Sequence, residues 1–260
     1  MRGEAVFRAL ERPLLWLDAR AARHFPPSLD PVAQAGALAV LSLVVALVSG
    51  ILLLFWYVPS VYGAYASVAA MAGLPTFLRA LHRYSSDACV LFAVFHALRL
   101  GLARRFTGAR WLAWVTGIGL LVALWLVGWL GYWLLWDERG RQVALGTARF
   151  VDVLPLFADP LSRSFLADDR VNTLLFFVVF FVHMLLPLPM GVALWLHVAR
   201  VSRSRFLPGF AASLGATGAI AALTLLLPAD LAGPARMAAV PGDLVVDAWY
   251  LLPLWVTDSV

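Results

Sequence analysis

Five apolar runs, near residues 34–57, 80–103, 111–135, 172–199 and 208–228, dominate the 260-residue chain. Each is long enough to cross the ~30 Å hydrocarbon core of a bilayer at ~1.5 Å per residue. Inside a bilayer every backbone polar group must be bonded within its own segment, so runs of this kind fold as helices. At 62% hydrophobic and 13% charged, the chain is more apolar than a soluble domain of its size requires. The fold class is therefore all-α transmembrane, with five spans. All 20 basic residues are arginine, and they cluster beside the apolar runs. That pattern marks membrane topology, and no nucleic-acid partner is expected. The single cysteine, Cys89, cannot form an internal disulfide and lies in an apolar run, where packing is its expected role. Residues 1–30 are polar and Arg-rich, so no cleavable signal peptide is expected and the first span acts as the insertion signal.

The loops set the orientation. The N-terminal segment, the loop after the second span (Arg99, Arg104, Arg105, Arg110) and the loop after the fourth (Arg200, Arg203, Arg205) hold twelve arginines against four acids. The positive-inside rule puts these, and the N-terminus, in the cytoplasm of a bacterial inner membrane. Residues 58–79, 136–171 and 229–260 then face outward. Residues 3–24 alternate Arg and Glu with Leu, Phe and Trp at helical spacing despite Pro13, the pattern of an interfacial helix or, alternatively, of a plain solvated one. The loop 136–171 is too apolar for a linker and is expected to pack as short helices on the outer face. Three regions result: the amphipathic segment 1–30, a four-helix domain 31–203, and a fifth helix with an outer tail, 204–260.

The second span carries His82 and His96, and the fourth carries His183 and His197; both intervals are fourteen residues. Two heptads return a side chain to nearly the same helix face ~21 Å further along. The two spans run in the same direction, so His82 comes level with His183 and His96 with His197. Paired imidazoles across a helical bundle are what bis-His haem iron requires. A lone membrane histidine is more often a hydrogen-bonded structural residue, but four of the chain's five histidines form this pattern, leaving only His24. The other two spans carry Gly36 and Gly50, and Gly117 and Gly131, at the same interval. Glycine permits the close approach a porphyrin between helices would need, although small-residue helix packing explains any one glycine. The first four helices thus read as a bundle enclosing two haems, one near each face. Arg79 and Arg83 flank the outer pair and Arg99 follows the inner one; each fits a haem propionate, or equally a headgroup or topogenic charge. Asp87 is a carboxylate in a membrane helix, either functional or hydrogen-bonded to Ser85 or Ser86.

The segments "LVSGILLLFWYVPSVYGAYASV", "FLRALHRYSSDACVLFAVFHALRL", "WVTGIGLLVALWLVGWLGYWLLWDE" and "HMLLPLPMGVALWLH", with Pro187 four residues after His183, resemble in order and spacing the cytochrome b of bc-type quinol-oxidising complexes, in its shorter, split form. The resemblance implies two non-covalent haems b, a low-potential one on His82 and His183 near the outer face and a higher-potential one on His96 and His197 near the cytoplasm. It also implies quinol or quinone as substrate, a Rieske iron–sulfur protein or c-type cytochrome as partner, and a homodimer within a larger complex. The helices that a full-length cytochrome b has beyond the position of Val260 are either supplied by a second subunit or absent altogether.

Departures are concentrated at the outer quinol site. Where the family has Pro-Glu-Trp-Tyr, this chain reads Asp247, Ala248, Trp249, Tyr250, so the motif's proton-accepting glutamate is an alanine. Asp247, Asp137 and Glu138 are the candidate replacements, since a carboxylate beside a desolvated quinol suits general-base work; the competing reading is that these acids are merely solvated. Leu134, Leu135 and Trp136 stand where the family usually has Leu-Pro-Trp. After His197 only Arg200, Ser202 and Arg203 are available near a cytoplasmic quinone. The reading from a different class is a haem-free membrane scaffold or transporter, which would favour ionisable groups at mid-membrane; here they lie toward the helix ends.

Overall fold

A computed structural model describes residues 2–153, 160, 162, 173–200 and 205–236. Among them the regular structure is helical, with no strand. The helices are α1 (Arg2–His24), α2 (Ala35–Leu53), α3 (Ala64–Ala69), α4 (Leu74–Leu102), α5 (Trp111–Leu135), α6 (Glu138–Asp152), α7 (Thr173–Leu185), α8 (Pro187–Ala199) and α9 (Phe210–Leu226). Four segments have the length and apolarity to cross a membrane: α2, α4, α5, and α7 with α8 taken together. The fifth run forms α9, of 17 residues, a little short of a full span.

Two boundaries differ from the sequence reading. α4 begins at Leu74 instead of near residue 80, because Gly73 turns the chain at φ +67° and Pro75 is tolerated in a first helical turn. The fourth span is interrupted at Leu186, where Pro187 supplies no N–H to the carbonyl of His183 and its ring crowds that turn.

The chain divides into two compact units. One comprises Met1–Leu52, Thr76–Leu124 and Leu188–Ala229; the other Leu53–Pro75, Trp125–Pro187 and the described part of Asp230–Val260. In the first unit α1 turns Leu14 and Ala21 inward, both nearly buried, with Asp18 between them on the same face. Asp18 accepts from Arg99 near the end of α4 at 3.1 and 3.2 Å. Trp16, on the opposite side of α1, is 60% exposed and carries the Arg20 guanidinium 5.5 Å from its ring centre. This two-faced helix matches the amphipathic reading of residues 3–24, Pro13 included.

The second unit is built around aromatic side chains. Trp129, Tyr132 and Trp133 of α5, with Trp136 just beyond it, bury against Val143, Ala144 and Ala148 of α6 and Phe176 and Val179 of α7. The small residues of α6 let the two helices close: a Cβ at Gly140 would lie 2.4 Å from the Tyr132 carbonyl oxygen. Trp136 stands edge-on to Phe176 with ring centres 5.5 Å apart, and the Tyr57 hydroxyl donates to the Leu134 carbonyl at 2.7 Å. The expectation of helical structure in the outer loop holds for its first part, α6; most of "RFVDVLPLFADPLSRSFLADD" lies outside the described residues.

Candidate functional site

Each of the four histidines sits on the glycine that shares its interval. A Cβ at Gly36 would lie 2.9 Å from His96 Cε1, at Gly50 2.9 Å from His82 Cε1, at Gly117 3.0 Å from His197 Cε1, and at Gly131 3.3 Å from His183 Cε1. The glycines therefore make room for imidazole rings, a more specific task than the porphyrin clearance read from the sequence. The first three contacts and their helices belong to the first unit, and Gly131 with His183 to the second.

The same helices also supply an acceptor. His82 Nδ1–H donates to the Ala46 carbonyl at 2.8 Å, and His183 Nδ1–H to the Val127 carbonyl at 3.0 Å. His197 Nδ1 lies 3.1 Å from Thr116 Oγ1, whose hydroxyl is itself 3.0 Å from the Ala113 carbonyl. Ala46 and Val127 each precede their glycine by four residues, so one helical turn provides both the gap and the carbonyl above it. A ring that gives Nδ1–H to a carbonyl keeps its lone pair on Nε2, the tautomer an iron ligand needs. Gly36 lacks this arrangement: the position four before it, Val32, precedes α2. Among the described residues no cluster of three or more His, Cys, Asp or Glu could hold a bare metal ion. Histidines coming singly or in pairs suit a metal whose other ligands come from a macrocycle.

In the first unit His96 and His197 line one cavity of about 780 Å³, together with Gly36, Gly117, Cys89 and Met190. That is within the range of cofactor-binding cavities. Cys89 is 3% exposed, consistent with its expected packing role. The arginines singled out from the sequence each have a protein partner. Arg79 donates to the Ala229 carbonyl, Arg83 pairs with Asp87 at 3.0 Å, and Arg99 pairs with Asp18. Asp87 thus takes an arginine partner; Ser85 and Ser86 turn back on the carbonyls of Leu81 and His82 at 2.6 and 2.7 Å. The arginines that do line the cavity are Arg105, Arg110 and Arg205. Sequence reasoning grouped them as topogenic charges; only the turns around α4, α5 and α9 reveal that they reach the cavity wall.

The outer acids fare unequally. Asp137 is fully buried and caps α6: one oxygen accepts from Gly140 N at 2.7 Å, the other from Ala232 N at 3.1 Å, with the Arg139 guanidinium 3.7 Å away. A carboxylate so committed has a structural task. Glu138 N–H donates to the Gly233 carbonyl at 2.9 Å, Ala235 N–H to Trp136 at 3.1 Å, and Arg139 reaches Asp230 at 2.9 Å, so residues 230–235 are fastened to the start of α6. With leucine at 135, where proline is usual, α5 runs to Leu135, and Trp136 turns the chain at φ 49°. Asp247 and Tyr250 lie outside the described residues. His24 donates from Nδ1 to the Arg20 carbonyl at 2.8 Å at the exposed end of α1.

Membrane-length helices that seat imidazoles on glycines and fix their tautomer from neighbouring carbonyls define a haem-binding membrane protein of the helical-bundle class. The chain belongs to the cytochrome b family: the family described as cytochrome b/b6/petB matches residues 21–204. It is 27% identical over 190 residues to cytochrome b6 of Synechocystis sp., covering 72% of this chain and 86% of that protein. Among solved structures, a hyperthermophilic respiratory Complex III aligns with a TM-score of 0.62 at 18% identity, covering 88% of this chain and 72% of the other, which shows a shared fold. The chain is a multi-pass membrane protein and a subunit of the oxidoreductase, haem b-binding kind.

Proposed function

We propose that the chain is a dihaem b-type cytochrome subunit that moves electrons across the membrane between a quinol or quinone pool and a periplasmic redox partner within a bc-type or bc-derived complex. The observation that carries this reading is the repeated seat of glycine and carbonyl under the histidines. A scaffold would have no use for imidazoles seated on four glycines, two of them giving Nδ1–H to a carbonyl so that Nε2 keeps the lone pair. His82 with His183 and His96 with His197 would be the axial pairs, and the bound haems supply the one-electron couple. The residues of the chain do the rest. The carbonyls of Ala46 and Val127 and the Thr116 hydroxyl hold ring proton and ring plane; the glycines admit the rings; the apolar cavity wall keeps water from them. Fourteen residues of helix separate the two levels by ~21 Å, enough to bring one near each membrane face.

For the partner, two mechanisms follow from the family. Quinol electrons are divided between a Rieske iron–sulfur protein and the haems, or the subunit relays electrons between quinone and another redox subunit such as a c-type cytochrome. Ala248 in place of the motif glutamate favours the relay, or an outer site rebuilt on other acids. Glu138 and Asp247 are then the acids to test, with Asp137 acting through the fold. Homodimerisation and a further subunit follow from the same family reading.

The deciding experiment is a reduced-minus-oxidised spectrum of the purified protein, with haem extracted and counted per chain. Two haems b are expected, with one lost in each of His82→Ala and His96→Ala; a folded, membrane-inserted protein without haem would overturn the reading. For the outer site, quinol oxidation slows in Asp247→Asn and Glu138→Gln if these acids accept protons, and unchanged turnover in both removes them from the mechanism.

A further inference from the structure

The acceptors that face the imidazoles differ in kind. His82 and His183 each give Nδ1–H to a backbone carbonyl, Ala46 at 2.8 Å and Val127 at 3.0 Å. A carbonyl oxygen has two lone pairs, so it serves its own helix and the ring at once. His197 meets a different atom: its Nδ1 lies 3.1 Å from Thr116 Oγ1, on the residue just before the glycine beneath the ring. A hydroxyl has a single proton, and the carbonyls of Leu112 and Ala113, four and three residues back and each 3.0 Å away, take it. Toward the ring the oxygen therefore presents a lone pair, and His197 Nδ1 is the donor. His96 has no helical carbonyl one turn below its glycine, because α2 begins only at Ala35. The four rings are thus graded, from carbonyl through hydroxyl to none. A peptide carbonyl ends a large dipole and draws on a ring proton more strongly than an alcohol oxygen does. The further Nδ1–H is drawn away, the more basic Nε2 becomes and the more it favours ferric over ferrous iron.

We infer that Thr116 is a positioning residue for the inner-side centre: its hydroxyl holds the His197 ring with Nε2 as the lone-pair nitrogen and sets the midpoint potential of the iron that His96 and His197 ligate. This rests on the haem reading above. A carbonyl in the same place would pull that potential down toward the value of the other centre, and no acceptor at all would let it rise. The difference between the two centres then has a source in one side chain of α5 and in the late start of α2, on rings whose glycine seats are otherwise alike.

The test is a redox titration of the purified, haem-loaded protein, following both haems optically, for Thr116→Val, Thr116→Ser and Thr147→Val. Thr147 is the control: its hydroxyl also turns back on its own helix, to the Val143 carbonyl at 2.7 Å, but on α6, away from the histidines. Valine keeps the shape of threonine and drops the acceptor, so Thr116→Val should raise the midpoint of one haem, the one lost in His96→Ala, and leave the other in place. Serine keeps the hydroxyl and should restore most of the parent value, and Thr147→Val should move neither midpoint. The inference falls if the inner-side midpoint stays or drops in Thr116→Val, if both midpoints move together, or if serine shifts it as far as valine does. Should valine shed that haem altogether, the serine variant decides: a retained haem at the parent midpoint sustains the inference, and any other result overturns it. Absence of haem in the parent protein would instead defeat the functional reading itself.

Discussion

A glycine under an imidazole is a steric claim with a graded consequence. At Gly36, Gly50 and Gly117 an added methyl would stand within 3.0 Å of a ring carbon, whereas at Gly131 the distance is 3.3 Å. Alanine at the first three should displace the ring and sharply reduce the haem absorbance per chain, while Gly131→Ala, where a shift of a few tenths of an ångström suffices, should keep most of it. Equal loss at all four would show that crowding of the ring is not what the glycines prevent. Asp137 makes a second residue-scale prediction. It satisfies Gly140 and Ala232 at once, so Asp137→Ala removes a helix cap and leaves the half-buried Ala232 N–H without its acceptor. The expected cost is about 2–3 kcal/mol, read as a lowered unfolding midpoint in detergent. The four histidines and their glycines were legible because spacing alone carries them. The carbonyl partners were not, since every residue has a carbonyl and only the packed helices reveal which one faces a ring.

At the scale of elements, the close approach of α5 and α6 rests on Gly140. Its Cβ position is occupied by the backbone oxygen of Tyr132, which has no flexible side chain to move aside. Gly140→Ala should therefore pry the two helices apart and lower thermal stability more than Gly191→Ala, where a methyl meets open space. Release of α1 is the complementary case. Asp18→Asn weakens the pairing with Arg99, and hydrogen exchange across residues 2–24 should quicken while α4 keeps its protection. Spans were readable from apolar length, and the ends were not. α4 gained a turn and a half from Gly73 and Pro75, and the fourth span was divided at a proline whose effect depends on its turn. The arginines show the same limit: charge placed them at the membrane edge, but the turns after α4 and before α5 decided which of them enter the cavity.

For the whole molecule, the positive-inside argument places the N-terminus and the α4–α5 turn in the cytoplasm and α6 outside. Single cysteines introduced at Thr107 and at Arg149, in a Cys89→Ser background, should react with a membrane-impermeant thiol reagent from opposite sides of intact cells and inverted vesicles; labelling from one side alone would refute the topology. One feature of the seats bears on spectroscopy. Two rings are pinned by a carbonyl one helical turn before their glycine and a third, His197, by the Thr116 hydroxyl, but α2 starts too late to offer a helical carbonyl to His96. Its plane is consequently set by steric contact with Gly36 alone, with no directional bond to choose an angle. In electron paramagnetic resonance the low-spin signal of that centre should be the broader of the two, spread by a distribution of ligand-plane angles, and freezing conditions should alter its line shape while leaving the other sharp.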